Sequence, residues 1–173
     1  MSIFDHESRA ESIKEFYKLL GKIEALQTLA SDYGIKDIFQ DNGAKILQTL
    51  IIVGLDPIKK RAGNDAHDAE HEYELKTANK KLVTSFSTHH HLNKKILEKY
   101  RGVLWIFSIY ENIELKEIWV MHPKQLELYF SRWEKKLETV SHINNPKIPI
   151  SYVKKNGIQA LNEDECFKYK QNK

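Results

Sequence analysis

Val103 to Tyr110 is an almost unbroken apolar run, and it constrains the fold more than any other segment. A strand with one wet face alternates apolar and polar residues, so a run without that alternation reads as a central strand buried on both faces. Layers must then lie above and below it. Glu111-Asn112 reads as a turn into a partner strand over Ile113 to Met121. Helical layers are at hand on either side in the sequence. From Glu7 to Tyr33, apolar residues fall at Ile13, Phe16, Tyr17, Leu20, Ile23 and Ala30, a helical spacing closed by Gly34. Asn42 to Val53 is a second helix, started by Asp41-Asn42-Gly43 and ended by Gly54. A short helix is expected over Asn93 to Arg101. A longer one follows Pro123, with Leu126, Tyr129, Phe130, Trp133 and Leu137 on one face. The sum is an α/β domain, a mixed sheet between helices. Ile150 to Val153 reads only as a short apolar stretch, and the polar residues after Gly157 as a mobile or weakly packed tail.

Composition narrows the class. With 173 residues the chain is long enough for one cored domain. No apolar run approaches the roughly 18 residues of a membrane span. The first residues lack a secretory pattern, and the lone Cys166 cannot staple an intrachain framework. A cytoplasmic location is the expectation. Between Lys76 and Tyr110, six lysines (76, 80, 81, 94, 95, 99) and Arg101 face the single acid Glu98, a local charge of +6 in a chain of +3. Such a segment can be a solvated lysine-rich surface or a phosphate-neutralising one.

The chemistry concentrates between Gly63 and His91. Gly63-Asn64-Asp65 precedes Glu72 to Thr77, which alternates like a strand, and Phe86-Ser87-Thr88-His89-His90-His91 follows. Residues i and i+2 of a strand face the same way, so Glu74 and Lys76 point together, with the carbonyl of Leu75 available as a hard ligand. Magnesium binds through one or two carboxylates plus phosphate oxygens and water. Asp65 from the turn completes an acidic pair, and Lys76 is placed to offset developing negative charge or assist deprotonation of water. Such groups can hydrolyse a phosphodiester, and on spacing alone the same residues can equally form an exposed polar strand face. Alternation alone leaves Glu72 and Glu74 as rival ligands. Two other Glu-x-Lys copies exist. Glu134-Lys135-Lys136 lies in a helix and cannot share a face, and Glu114-Leu115-Lys116 reads as cross-strand surface charge.

Three adjacent imidazoles point in divergent directions and have no nearby cysteine, which argues against zinc. They read either as a polar loop or as groups that match donors and acceptors on base edges in a DNA groove. Asn144-Asn145 carries the same ambiguity between a turn before Pro146 and adenine recognition.

Several longer segments carry a resemblance. They are Gly34-Ile35-Lys36-Asp37-Ile38-Phe39-Gln40-Asp41-Asn42-Gly43, Gly63-Asn64-Asp65-Ala66, Glu72-Tyr73-Glu74-Leu75-Lys76, Phe86 to His91, Trp105-Ile106-Phe107, and Ile143-Asn144-Asn145-Pro146-Lys147-Ile148-Pro149. Together, over about Ala30 to Gly157, they resemble the PvuII-type restriction endonucleases of the PD-(D/E)xK nuclease group. The resemblance implies a restriction-endonuclease-like mixed central sheet flanked by helices. It divides the chain into an N-terminal helical dimerisation region (1–33), a catalytic and DNA-recognition region (34–157) and the tail (158–173), within one structural domain.

It also implies a magnesium-dependent homodimer that cuts both strands of a short palindromic double-stranded DNA, a CAGCTG-like site cut to blunt ends, alongside a cognate DNA methyltransferase. On that footing Asp65 and Glu74 bind the metal, Leu75 lends its carbonyl, and Lys76 is catalytic. His90, His91, Asn144 and Asn145 read bases in the major groove, and Asp41 approaches the minor groove. His89, Ser87, Thr88 and Tyr100 lie near the scissile region, phosphates or active-site water. Two departures stand out: Ala62 occupies the place of a family glutamate, and the Asp65–Glu74 interval is one residue shorter. The rival readings are a repair or recombination nuclease of broader specificity, and a DNA-binding protein without catalysis.

Overall fold

The computed structural model describes residues 10–58 and 65–164. The Lys59-Lys60-Arg61 tripeptide, Ala62, Gly63-Asn64 and Cys166 lie outside the described residues. The chain forms two compact units, Met1–Leu47 and Gln48–Lys173.

In the first unit, α1 runs over Ala10–Asp32. It ends as glycine at the position after a helix should end it: Gly34 has φ +72°, its N–H bonds the Ser31 carbonyl, and the Ile35 N–H reaches back to Ala30. The chain then folds over the start of α2 (Gly43–Val53). Asp41 and Asn42 both adopt left-handed φ, +48° and +62°. A side chain at position 43 would place its Cβ 2.5 Å from the Asp37 carbonyl oxygen, so only glycine fits. Ala30, Ile38 and Leu47 form the small core. Gln27 ties the loop to α1, accepting the Ile38 N–H at 2.9 Å and donating to the Ile35 carbonyl at 3.0 Å. Phe16, Tyr17, Leu19, Leu26 and Leu29 remain exposed along α1.

The second unit is built on a six-stranded mixed sheet. Its strands are β1 (Asp56–Pro57), β2 (Ala66–His67), β3 (Glu72–Asn79), β5 (Leu104–Glu111), β6 (Glu114–Met121) and β8 (Ile158–Leu161), in the order β1-β2-β3-β5-β6-β8. β3 and β5 are parallel and every other pair is antiparallel. The crossover between the parallel strands carries β4 (Ser85–Ser87) and α3 (Lys94–Tyr100). β4 leaves the main sheet and pairs instead with β7 (Lys147–Pro149).

β5 is buried on both faces, as its unbroken apolar run requires. Trp105, Phe107 and Ile109 enter one core with Phe86, Phe130, Trp133, Ile148 and Val153. From the same strand, Ser108 and Tyr110 bond the buried hydroxyl of Thr49 on α2, at 2.9 and 3.0 Å. Three buried hydroxyls satisfying one another are costly to break singly. Thr49→Val is expected to destabilise the protein by about 1–3 kcal/mol, read as a lowered melting temperature. An unchanged melting curve would show that the triad contributes nothing.

The helix after Pro123 begins as a 3-10 turn over Pro123–Leu126, capped by His122 and Gln125, and continues as α4 (Glu127–Lys136). All five apolar positions expected on one face are buried. Two segments differ from expectation. Ile150–Asn156 is a helix, α5, anchored by fully buried Val153. Ile158–Leu161 is not loose: it pairs as β8 with β6, Val120 opposite Ile158 and Ile118 opposite Leu161. Its side chains are mostly exposed, so backbone pairing at the open edge of β6 defines it and no apolar alternation announces it. Among the described residues no helix is long and apolar enough to cross a membrane.

Candidate active site and nucleic-acid interface

The acidic pair is assembled by the β2–β3 hairpin. The Asp65 N–H donates to the Tyr73 carbonyl at 3.0 Å. Its side-chain Oδ2 accepts the Leu75 N–H at 2.9 Å, which brings this carboxylate beside the backbone between Glu74 and Lys76. The short interval between the two acids closes around Asp68. Its Oδ1 accepts the N–H groups of Glu70 and His71 at 2.8 and 2.7 Å, and its Oδ2 accepts the Tyr73 hydroxyl at 2.6 Å. The Tyr73 bond first, then the two backbone bonds, lower the Asp68 pKa to about 2, and the same Asp68 bond raises that of Tyr73 to about 12. The turn between the two acids is capped by its own aspartate.

Glu74 is only 4% exposed, an unusual place for a carboxylate. It is paired with Lys76 through Nζ and Oε1. Burial is the largest cause pushing its pKa up, to about 7, and the Asp65 charge adds to it. The charge of Lys76 and bonds from Lys76 and Tyr100 act in the opposite sense. Lys76 Nζ also lies 5.8 Å from the centre of the Tyr100 ring and 5.9 Å from that of Trp105, a cation–π setting that keeps the ammonium in place. Glu72 instead is exposed and lines an open groove with Glu70, His71 and His122.

Tyr100, at the end of α3, joins this cluster to the histidine segment. Its hydroxyl donates to the Thr88 carbonyl at 3.2 Å, and burial, then the neighbouring Glu74 carboxyl, push its pKa far up. The Tyr100 carbonyl accepts the Trp105 indole N–H at 3.1 Å. Thr88 is held in turn by the Pro146 carbonyl, which accepts its hydroxyl at 2.8 Å and its N–H at 3.2 Å.

The histidines and asparagines, more than fifty residues apart in sequence, meet on one surface. Leu92 and Ile143 form an antiparallel bridge, with N–H···O distances of 2.8 and 3.0 Å in the two directions. Both side chains point into the core. Their neighbours therefore face outward, and His91 Nδ1 donates to Asn144 Oδ1 at 3.0 Å. In the neutral ring this leaves the His91 Nε2 as an acceptor and the Asn144 amide as a donor. The Asn145 N–H donates to the His90 carbonyl at 3.3 Å from a left-handed backbone, φ +45°. His89 is half-buried. Burial first, then the charge of Lys76, lower its pKa, and its Nδ1 accepts the His91 N–H at 3.0 Å. Both observations describe a neutral ring.

Ser87 is exposed, and its hydroxyl accepts from Lys147 Nζ across the β4–β7 pair. Asp41 sits in the first unit, at the left-handed tip before α2. Lys147 and Asp68 were not singled out from the sequence. Lys147 stands three residues after Asn144, and its opposite-strand pairing with Ser87 carried no sequence signal. Asp68, followed by a short polar stretch between two strands, carried an ordinary turn signal.

The lysine-rich segment is partly neutralised from elsewhere. Lys80 and Lys81 pair with Glu111, Lys80 also with Glu163, and Arg101 binds Glu127 and Glu134 through two forks. Lys94, Lys95 and Lys99 on α3 are exposed and form no ion pair among the described residues. Of the other Glu-x-Lys copies, Glu114 and Lys116 pair with each other, and Lys116 also pairs with Glu163.

Among the described residues no group of three or more histidine, cysteine or acidic side chains is placed to hold a metal. Asp65 and Glu74 offer two carboxylates and no soft ligand. That donor set suits a hard divalent cation whose remaining ligands come from phosphate and water. An acid pair and an amine at one end, joined through Tyr100 and Thr88 to an exposed imidazole–amide surface at the other, suit cleavage next to recognised DNA. Residues 10–161 match the family described as restriction endonuclease PvuII. The match spans most of the chain, so the chain belongs to the PvuII restriction endonuclease family and is a type II site-specific deoxyribonuclease acting on DNA.

Proposed function

We propose that the chain acts as a magnesium-dependent homodimer that hydrolyses one phosphodiester bond in each strand of a short palindromic duplex. The site is CAGCTG-like and the products are blunt. The observation that carries this reading is the meeting of Asp65, Glu74 and Lys76 at one point of β3, with Asp65 Oδ2 bonded to the Leu75 N–H. Asp65, Glu74 and the Leu75 carbonyl would hold the cation. Bound there, magnesium would offset phosphate charge and lower the pKa of a coordinated water. Lys76 would stand beside the phosphate, where negative charge grows during hydrolysis. Tyr100 and the buried Thr88 hold the Glu74 carboxyl and the histidine segment in fixed relation.

His90, His91, Asn144 and Asn145 read major-groove edges. His89 stands nearer the reacting phosphate, Ser87 contacts backbone, and Asp41 lies toward the minor groove. Two-fold DNA calls for a two-fold protein, and the apolar residues exposed on α1 supply a surface for the second subunit. A host would need a cognate methyltransferase to protect its own sites.

Incubation with plasmid DNA and magnesium tests the proposal directly. Discrete fragments whose ends map to the centre of one palindrome are expected. Diffuse degradation, or binding without cuts, would overturn it. His91→Ala is expected to lose about 1–3 kcal/mol of discrimination at one base pair, measured by binding to the mapped site and its single-pair variants. Equal weakening on all duplexes would identify His91 as a phosphate contact instead.

A further inference from the structure

The loop that delivers Asn144 carries a further imidazole to the same surface. Ile143 is paired with Leu92, so Asn144 stands opposite His91, and position 142 lies diagonally across from it on the same outward face. The side chain there is His142, exposed and edge-on to His91, with ring centres 5.0 Å apart and planes at 80°. His142 is itself steered by the Ser141 hydroxyl, 3.0 Å from its Nδ1. His91 thus has two constraints from one loop. Asn144 sets which ring nitrogen carries the proton, and the His142 ring limits how the imidazole can rotate about its bonds. An exposed imidazole held by one hydrogen bond alone keeps torsional freedom that must be lost when it meets a base.

We propose that His142 is a positioning residue for base recognition, packing edge-to-face on His91 so that the His91–Asn144 pair is ordered before DNA arrives. This rests on the reading of His91 and Asn144 as base-contacting groups. The contact is aromatic packing, so its worth falls in the usual range for such pairs, about 2- to 10-fold in affinity.

A double-substitution cycle tests it. Binding is measured in calcium on duplexes carrying the mapped site and on single-pair variants, for wild type, His142→Ala, His142→Phe, His91→Ala and the double alanine variant. The expected results are a loss of about 2- to 10-fold in discrimination for His142→Ala, recovery of most of it in His142→Phe, and no added loss when His142→Ala is combined with His91→Ala. Melting temperatures should stay within about 1 °C, because an exposed side chain away from core features adds little to stability. Discrimination unchanged by His142→Ala, a phenylalanine as defective as alanine, or losses that simply add would each overturn the positioning role. The His91→Ala arm separates the two levels. If that variant discriminates as well as wild type, the base-reading assignment itself fails. If it loses discrimination while His142→Ala does not, only the role of His142 fails.

Discussion

Lys76→Ala is expected to slow strand cleavage at saturating enzyme by at least about 100-fold, the scale on which a single charge-stabilising group aimed at a transition state is felt. Specific DNA binding in calcium should change by less than about 3-fold, because that scale applies only to interactions made as the phosphate reacts. The structure gives the ammonium little other work. Its side chain is 13% exposed, and among the described residues its ion pair is with Glu74. Its remaining contacts are the faces of Tyr100 and Trp105, and none of these lies on the imidazole–amide surface. A bound cation can take over the neutralisation of Glu74 that the lysine provides in the free protein. The charge near the reacting phosphate has no such replacement. Comparable losses in binding and cleavage would mark Lys76 as a group that shapes the site, with no separate part in the reaction. A melting curve taken alongside distinguishes both results from simple unfolding.

How much of this could be read from residues alone follows from how local each signal is. The β5 run, the glycine-closed helices and the Pro123 helix rest on periodicity and caps, which act within a few residues. The structure carries each of them near its expected place, the expected start of α1 at Glu7 lying outside the described residues. β8 and the β4–β7 pair depend on a free edge supplied by a distant strand, and neither has a pattern of its own. The active site divides in the same way. Spacing predicted that Glu74 and Lys76 would share a face, but it could not separate Glu74 from Glu72. The two differ in burial, which alternation does not encode: Glu74 is buried beside Lys76, while Glu72 opens onto solvent at a groove. The local charge of the lysine-rich segment overstated what faces a ligand, because Glu111, Glu127, Glu134 and Glu163 arrive from other elements to pair with Lys80, Lys81 and Arg101. The meeting of His91 with Asn144 had no local signature at all. It follows from a single backbone bridge between Leu92 and Ile143.

That bridge and Tyr100 together give the two halves of the site a common frame. Pro146 holds Thr88, the Thr88 carbonyl accepts from Tyr100, and Tyr100 stands beside Glu74 and Lys76. A change at the asparagine loop therefore reaches the Glu74–Lys76 pair through contiguous contacts. On the proposed roles of these groups, substitutions in the loop should alter cleavage rate and site preference together.

Glu74→Gln carries the second large expectation, and it concerns the cation. Glutamine keeps the size of the side chain and still accepts from Lys76, but it removes the buried charge that a divalent ion would neutralise. In the wild-type protein that charge is held against burial and against Asp65, both of which disfavour it. A cation binding there should stabilise the fold: at tenfold excess over its dissociation constant, linkage gives about 1.4 kcal/mol, a rise of roughly 3–6 °C in melting temperature. In Glu74→Gln the rise should shrink to under about 1 °C, and cleavage should fall by at least about 100-fold. Taking each protein's shift against its own metal-free melting point removes whatever the substitution does to stability by itself. If the variant is stabilised by metal as much as wild type while cleavage is lost, the ion is held by other groups, and Glu74 acts on the water or the phosphate without binding it. If cleavage survives, the buried carboxylate is a structural partner of Lys76 and the reaction must be sought at another acid.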